Sequence, residues 1–194
     1  MAEIRSVCVY CGSSQEGPRA HRDAAGQLGH ILAGAGIELV FGGGRVGLMG
    51  TIANAVLDAG GRAVGIIPEH LIKAEVGHAG VSELIIVDSM HLRKEAMFRR
   101  SDAFVILPGG PGTLDETFEI LTWRQLGLHD KPVVLVNLDG YWNPFLELID
   151  SIIAERYARA SFRDLFTVVA RVEDVLATLT AARPPRLAPA PERL

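Results

Sequence analysis

The chain has 194 residues, 48% apolar and 22% charged, with a net charge of −4. That length suits one domain with a sizeable core, and the mild negative balance carries no global basic field of the kind nucleic-acid binding uses. No run approaches the roughly 18 apolar residues of a membrane span, and Met1 to Arg5 hold no apolar signal region, so the expected location is the cytoplasm, away from any membrane.

Ser6 to Tyr10 is a short apolar run, read as a first strand, ending at Cys11-Gly12-Ser13-Ser14. Cys8 and Cys11 form a Cys-x-x-Cys at a strand-to-helix turn. Two readings stay open there, a redox centre and a pair of reduced thiols with one buried as a small hydrophobe. Helical spacing of Ala24, Leu28, Ile31 and Leu32 predicts a helix from His21 to Ala35. Ile37 to Phe41 is a second strand, broken by Gly42-Gly43-Gly44, with a helix from Gly47 to Ala59. Ala63 to Ile67 is a third strand. Pro68 to Val81 is irregular and carries His70, Lys73, Glu75 and His78. Its two histidines and glutamate are loosely spaced, with no cysteine or aspartate to complete a metal set, so no metal is expected. Glu83 to Val87 is a fourth strand and Met90 to Arg100 a helix. Ala103 to Leu107 is a fifth strand, with a helix from about Thr113 to Leu126. Lys131 to Asn137, Pro144 to Arg156, Phe166 to Val169 and Val172 to Thr180 complete the alternation. From Arg183 the chain is rich in Pro, Ala and Arg. The expected division is one domain over 1–182 and a disordered tail over 183–194.

Strands that alternate with helices and are nearly all apolar imply a parallel sheet covered on both faces, a doubly wound α/β fold. Such sheets bind ligands beyond the C-terminal ends of their strands. Three glycine loops fall at such ends: Gly12-Ser13-Ser14, Gly42-Gly43-Gly44 and Gly109-Gly110-Pro111-Gly112-Thr113.

The third loop leads from a buried strand into a helix start, where backbone N–H groups and the helix dipole suit an anion. It matches neither the dinucleotide fingerprint nor the P-loop. A single phosphate or a mononucleotide remains, with Glu116 one turn into the helix. Thr113-Leu114-Asp115-Glu116 also fits a capping box, a purely structural use of both ends. Upstream, Arg93 and Lys94 sit near the start of the helix from Met90, where cations oppose the dipole and call for another partner, a phosphate or sugar among the options. Arg99 and Arg100, in its last turn, read as structural.

Pro108-Gly109-Gly110-x-Gly112-Thr113-x-x-Glu116, Met90-His91-x-Arg93-Lys94 and Gly42-Gly43-Gly44-x-x-Gly47-Leu48-Met49-Gly50 together resemble the LOG (LONELY GUY) family, long labelled "possible lysine decarboxylase". The resemblance runs from about Val7 to about Arg156. It takes in Tyr10-Cys11-Gly12-Ser13-Ser14, Thr122-Trp123-x-Gln125-Leu126-Gly127 and Lys131-Pro132-Val133.

The resemblance implies a Rossmann-like fold, a homodimer with its site near the interface, and no cofactor. It implies cleavage of the N-glycosidic bond of cytokinin riboside 5′-monophosphates, with AMP as a further substrate, to free base and ribose 5-phosphate. By resemblance Arg93 and Glu116 are the catalytic pair. Glu75, Lys94, Thr122 and the loop Gly109, Gly110, Pro111, Gly112, Thr113, Leu114 and Asp115 are substrate-binding positions by the same resemblance, and Ser13 and Gly43, in the first two glycine loops, are further candidates. A carboxylate suits such a reaction because the sugar gains positive charge as the base leaves.

Two residues depart from the family pattern. Pro111 stands where an aromatic or aliphatic residue is common and removes one N–H donor. Asp115 stands where many members have Glu. The older label needs a Schiff-base lysine, for which Lys73, Lys94 and Lys131 are the choices. A nucleotide carrier or sensor would need the same loops but neither Arg93 nor Glu116.

Overall fold

In the computed structural model residues 3–72 and 77–182 are described. Seven strands form a single all-parallel sheet: β1 (Ser6–Tyr10), β2 (Glu38–Phe41), β3 (Ala63–Pro68), β4 (Glu83–Val87), β5 (Ala103–Ile106), β6 (Val133–Val136) and β7 (Thr167–Val169), in the order β4-β3-β2-β1-β5-β6-β7. Six of the helices are α1 (Arg19–Gly34), α2 (Gly47–Asp58), α4 (Met90–Arg100), α5 (Pro111–Gln125), α6 (Asn143–Ala154) and α7 (Val175–Ala181). A further one, α3 (Glu69–Leu71), is a single turn in the segment expected to be irregular. Glu75 and the expected tail, 183–194, lie outside the described residues.

The period-2 alternation of strand side chains divides the core into two layers. Val7, Val9 and Cys11 of the first strand and the turn after it pack with α1, α2 and α7. Cys8 and Tyr10 face the other way, towards α4, α5 and α6. Beyond Ser6 and Glu38 at their starts, β1 and β2 are apolar, as β5 and β6 are throughout, because both faces are covered, which explains the continuous hydrophobic runs.

The same alternation settles the cysteine pair. Cys8 and Cys11 are three residues apart, so they belong to opposite faces of the sheet, and both are free thiols. Burial pushes both thiols well above their ordinary values, so neither is a ready thiolate. The redox reading is thereby excluded.

Two helix boundaries matter for the site. Ser89 caps α4, its hydroxyl accepting from the Leu92 amide at 3.2 Å. α5 begins at Pro111, two residues earlier than the expected start at about Thr113, with Gly110 as its cap residue and no side-chain cap. Thr113 is therefore the third helical residue and no cap, and the capping-box reading of Thr113 and Glu116 falls. Proline at the first helical position is the reason: its fixed φ is already helical and its missing N–H has no partner to lose there.

Elsewhere the differences are small. The last expected helix divides into a 3₁₀ turn at Val172–Asp174 and α7. A 3₁₀ segment at Ala160–Leu165, not expected from the sequence, buries Phe162 and Leu165 beside α5 and α6.

Candidate active site

β1 is the strand from which the sheet winds outward in both directions, to β2 on one side and β5 on the other. The chain reverses its winding there, so the helices after β1 and β5 lie on opposite faces of the sheet, and a crevice forms at the C-terminal edge. An open cleft of about 170 Å³ occupies that place. Its walls come from all three glycine loops and from α4 and α5, and Arg93, Glu116 and Thr113 lie together in it.

Hydrogen bonds across the loops hold the cleft open. The Gly12 amide donates to Pro108 O at 3.0 Å, joining the loop after β1 to the loop after β5. The Leu48 amide donates to Gly12 O at 2.9 Å, joining α2 to the same point. A Cβ on Gly109 would overlap Thr113 Oγ1 and stand 2.9 Å from the Gly12 nitrogen, so only glycine lets these loops close together.

Arg93 is 6% exposed and comes from the first turn of α4. Its Nε donates to Ile66 O at 3.2 Å, and a terminal nitrogen donates to Gly42 O at 2.9 Å. The guanidinium is therefore fixed against the ends of β2 and β3. Gly42 has to be glycine here, because a Cβ would occupy the guanidinium's place. Two carbonyl bonds use two of its five N–H groups and leave donors at the cleft. Glu116 is 9% exposed and shares one face of α5 with Thr113, three residues before it. Cys11 lines the same cleft. Burial, then the Glu116 carboxylate, raises its thiol pKa, and the Arg93 charge opposes that rise.

Lys94, adjacent to Arg93, is buried and turned to α5. Its Nζ pairs with Asp115 and with Glu119, each at 3.1 Å. Burial alone would lower its pKa, yet the bonds to Glu119 and Asp115 raise it above the ordinary lysine value. This pair of bridges straps α4 to α5 one residue away from Arg93 on one side and Glu116 on the other. Asp115, the departure from the family pattern, so has a partner within the protein. The call for a partner made by cations at a helix N-terminus is met by carbonyls for Arg93 and carboxylates for Lys94.

Of the other residues singled out in the sequence, Ser13, Gly110, Pro111, Gly112 and Thr113 line the cleft. Gly43, Gly109, Leu114 and Asp115 adjoin it without being among its lining residues, and Thr122 is exposed on α5, about 9 Å along the helix from Glu116 at 1.5 Å per residue. Arg100 binds Glu38 and Glu83 at the opposite end of the strands, as its structural reading expected. Sequence reasoning missed Glu119, one turn beyond Asp115 and so on the same face of α5. It also missed the cleft's apolar lining, Val9, Met49 and Met97.

A sheet wound outward from one strand, with its cleft at the reversal, defines a Rossmann-like ligand-binding protein. The family model described as "Possible lysine decarboxylase" matches residues 49–179. Rice LOGL1 (Oryza sativa subsp. japonica), named a probable cytokinin riboside 5′-monophosphate phosphoribohydrolase, is 49% identical over 170 residues, 88% of this chain and 76% of that protein. Arabidopsis thaliana LOG3, named a cytokinin riboside 5′-monophosphate phosphoribohydrolase, is 43% identical over 183 residues, 94% of this chain and 85% of that protein. The chain belongs to this family, the LOG family. Among solved structures, the molybdenum cofactor binding protein of Rippkaea orientalis superposes with a TM-score of 0.72 at 21% identity, covering 93% of this chain and 98% of that one. That likeness is one of fold.

Proposed function

We propose that this protein hydrolyses the N-glycosidic bond of cytokinin riboside 5′-monophosphates, and of AMP, releasing free base and ribose 5-phosphate. The observation that carries the reading is the placement of Arg93 and Glu116 in one cleft with the N-terminus of α5. The 5′-phosphate sits at that N-terminus. Its donors are the amides of Gly112 and Thr113, second and third in the helix, which have no carbonyl of their own helix to bond. Pro111 costs the site little, since its N–H would be one of several at this end.

With the phosphate so placed, Glu116, one turn further, faces the ribose. As the bond between C1′ and the base nitrogen breaks, its electron pair leaves with the base and positive charge grows on the sugar. The Glu116 carboxylate offsets that charge and can accept a proton from the water that attacks C1′, while the departing base nitrogen takes up a proton to become the free base. Arg93 holds a ribose hydroxyl or a phosphate oxygen and keeps the sugar in register with Glu116. Lys94, through Asp115 and Glu119, fixes the spacing of the two helices.

A decarboxylase reading lacks a suitable lysine among the described residues. Lys94 is held charged between two carboxylates. Lys131 donates to Phe98 O at 2.6 Å and precedes β6, at the edge opposite the glycine loops. The apolar side chains Leu92, Leu126 and Leu128, exposed on and beside α4 and α5, support a homodimer formed through that side; a monomer in sedimentation velocity would contradict it. Among the described residues no helix is long and apolar enough to cross a membrane. Two thiols that cannot pair with one another suit the cytoplasm.

Incubation with isopentenyladenosine 5′-monophosphate and with AMP tests the activity. Free base and ribose 5-phosphate in equal amounts are expected. Binding of both nucleotides with no base released from either would leave a carrier and overturn the enzyme.

A further inference from the structure

Tyr141 stands at the same sheet edge, in the turn after β6. It is 42% exposed, yet its side chain is fixed on three sides. Its hydroxyl donates to Gly109 O at 2.7 Å. Its ring meets His21 edge-on with centroids 5.3 Å apart, and Trp142 edge-on at 4.9 Å. The backbone before it is costly to form. Asp139 has φ 48° and Gly140 φ 77°, two successive left-handed residues. Asn137 then anchors the turn: its side-chain oxygen accepts from the Trp142 amide at 2.7 Å, and its amide group donates to Asn143 at 2.9 Å. A strained and well-anchored turn that delivers a half-exposed tyrosine to one carbonyl of the glycine loop is not required by the core.

We propose that Tyr141 is a positioning residue of the phosphate loop, holding the Gly109–Gly110 peptide so that its carbonyl faces out and its N–H faces the cleft. The inference rests on the reading of the cleft as a 5′-phosphate site. In a trans peptide the C=O and N–H point in opposite directions, so the bond that fixes Gly109 O outward also fixes the direction of the Gly110 N–H. Gly110 lines the cleft. The preceding carbonyl, Pro108 O, is likewise engaged, by the Gly12 amide. Glycine at both 109 and 110 makes this peptide easy to flip, and a flip would aim a carbonyl lone pair at the phosphate. Tyr141 removes that alternative before the ligand arrives, which preorganises the loop.

Tyr141→Phe deletes the hydroxyl and keeps the ring contacts. Isothermal titration with ribose 5-phosphate is expected to show a Kd raised about fivefold, the scale of one neutral hydrogen bond. The KM for the nucleoside 5′-monophosphate should rise by the same factor while kcat changes less than about twofold. A structural role alone would lower the melting temperature and leave Kd and KM in place. Wild-type protein that binds ribose 5-phosphate, with an equal Kd in Tyr141→Phe, overturns the role of Tyr141 and spares the site. Wild-type protein that does not bind ribose 5-phosphate overturns the phosphate reading and this inference with it.

Discussion

Glu116→Gln is expected to lower kcat by about 10²- to 10⁴-fold, the range of a positioned proton-transfer group, with KM and melting temperature close to wild type. Glutamine matches glutamate in shape, so the buried side of α5, which includes Thr113, Thr117 and Ile120, is undisturbed. What it lacks is the negative charge and the capacity to take a proton. Both contributions of Glu116, charge stabilisation and proton acceptance, vanish together, which is why the loss is large. Release of base by Glu116→Gln within about tenfold of wild type would remove Glu116 from the chemistry. Steady-state assays beside thermal unfolding of the same preparation separate this from misfolding.

Arg93→Lys should be nearly as damaging, by a different route. The arginine fork spans two carbonyls, Ile66 O and Gly42 O, from neighbouring strands. A lysine ammonium is a single point on a flexible stem and cannot hold both while also facing the ligand. Losing one preorganised donor of this kind costs on the order of 10²–10³ in kcat. Arg93→Ala adds a stability cost, because two buried carbonyls are left without their partner at about 1–3 kcal/mol each. The lysine variant is therefore the informative one. If Arg93→Lys folds and turns over at a third of the wild-type rate or better, the guanidinium is a strut of the sheet edge and no part of catalysis.

The strands could be read from the sequence because each central strand is buried on both faces, so Val7 to Tyr10 or Phe104 to Leu107 stand out as unbroken apolar runs. The order of the strands could not, since β1 and β5 pair across almost a hundred residues of chain. The place of the site was legible through the three glycine loops, and that order then brought them together. Local patterns misled where a second local rule applied. Thr113-x-x-Glu116 satisfies a capping box, but Pro111 starts α5 earlier and both side chains line the cleft. The unfavourable place of Arg93 and Lys94 at a helix start did signal a partner. Both cations proved to have internal partners: Ile66 O and Gly42 O for Arg93, Asp115 and Glu119 for Lys94. Tyr141 carried no motif of its own in the sequence. The Asp139-Gly140 pair at the C-terminal edge of the sheet was the available sign.

The central claim is spatial: the 5′-phosphate lies on the α5 N-terminus with C1′ beside residue 116. A crystal structure of Glu116→Gln with an unhydrolysed cytokinin riboside 5′-monophosphate measures this directly. The account predicts phosphate oxygens within hydrogen-bond distance of the Gly112 and Thr113 amides, and the ribose C1′ facing the residue 116 carboxamide with Arg93 on the sugar or phosphate. A nucleotide bound with its base against the glycine loop and its phosphate away from α5, or bound outside the cleft, would contradict it.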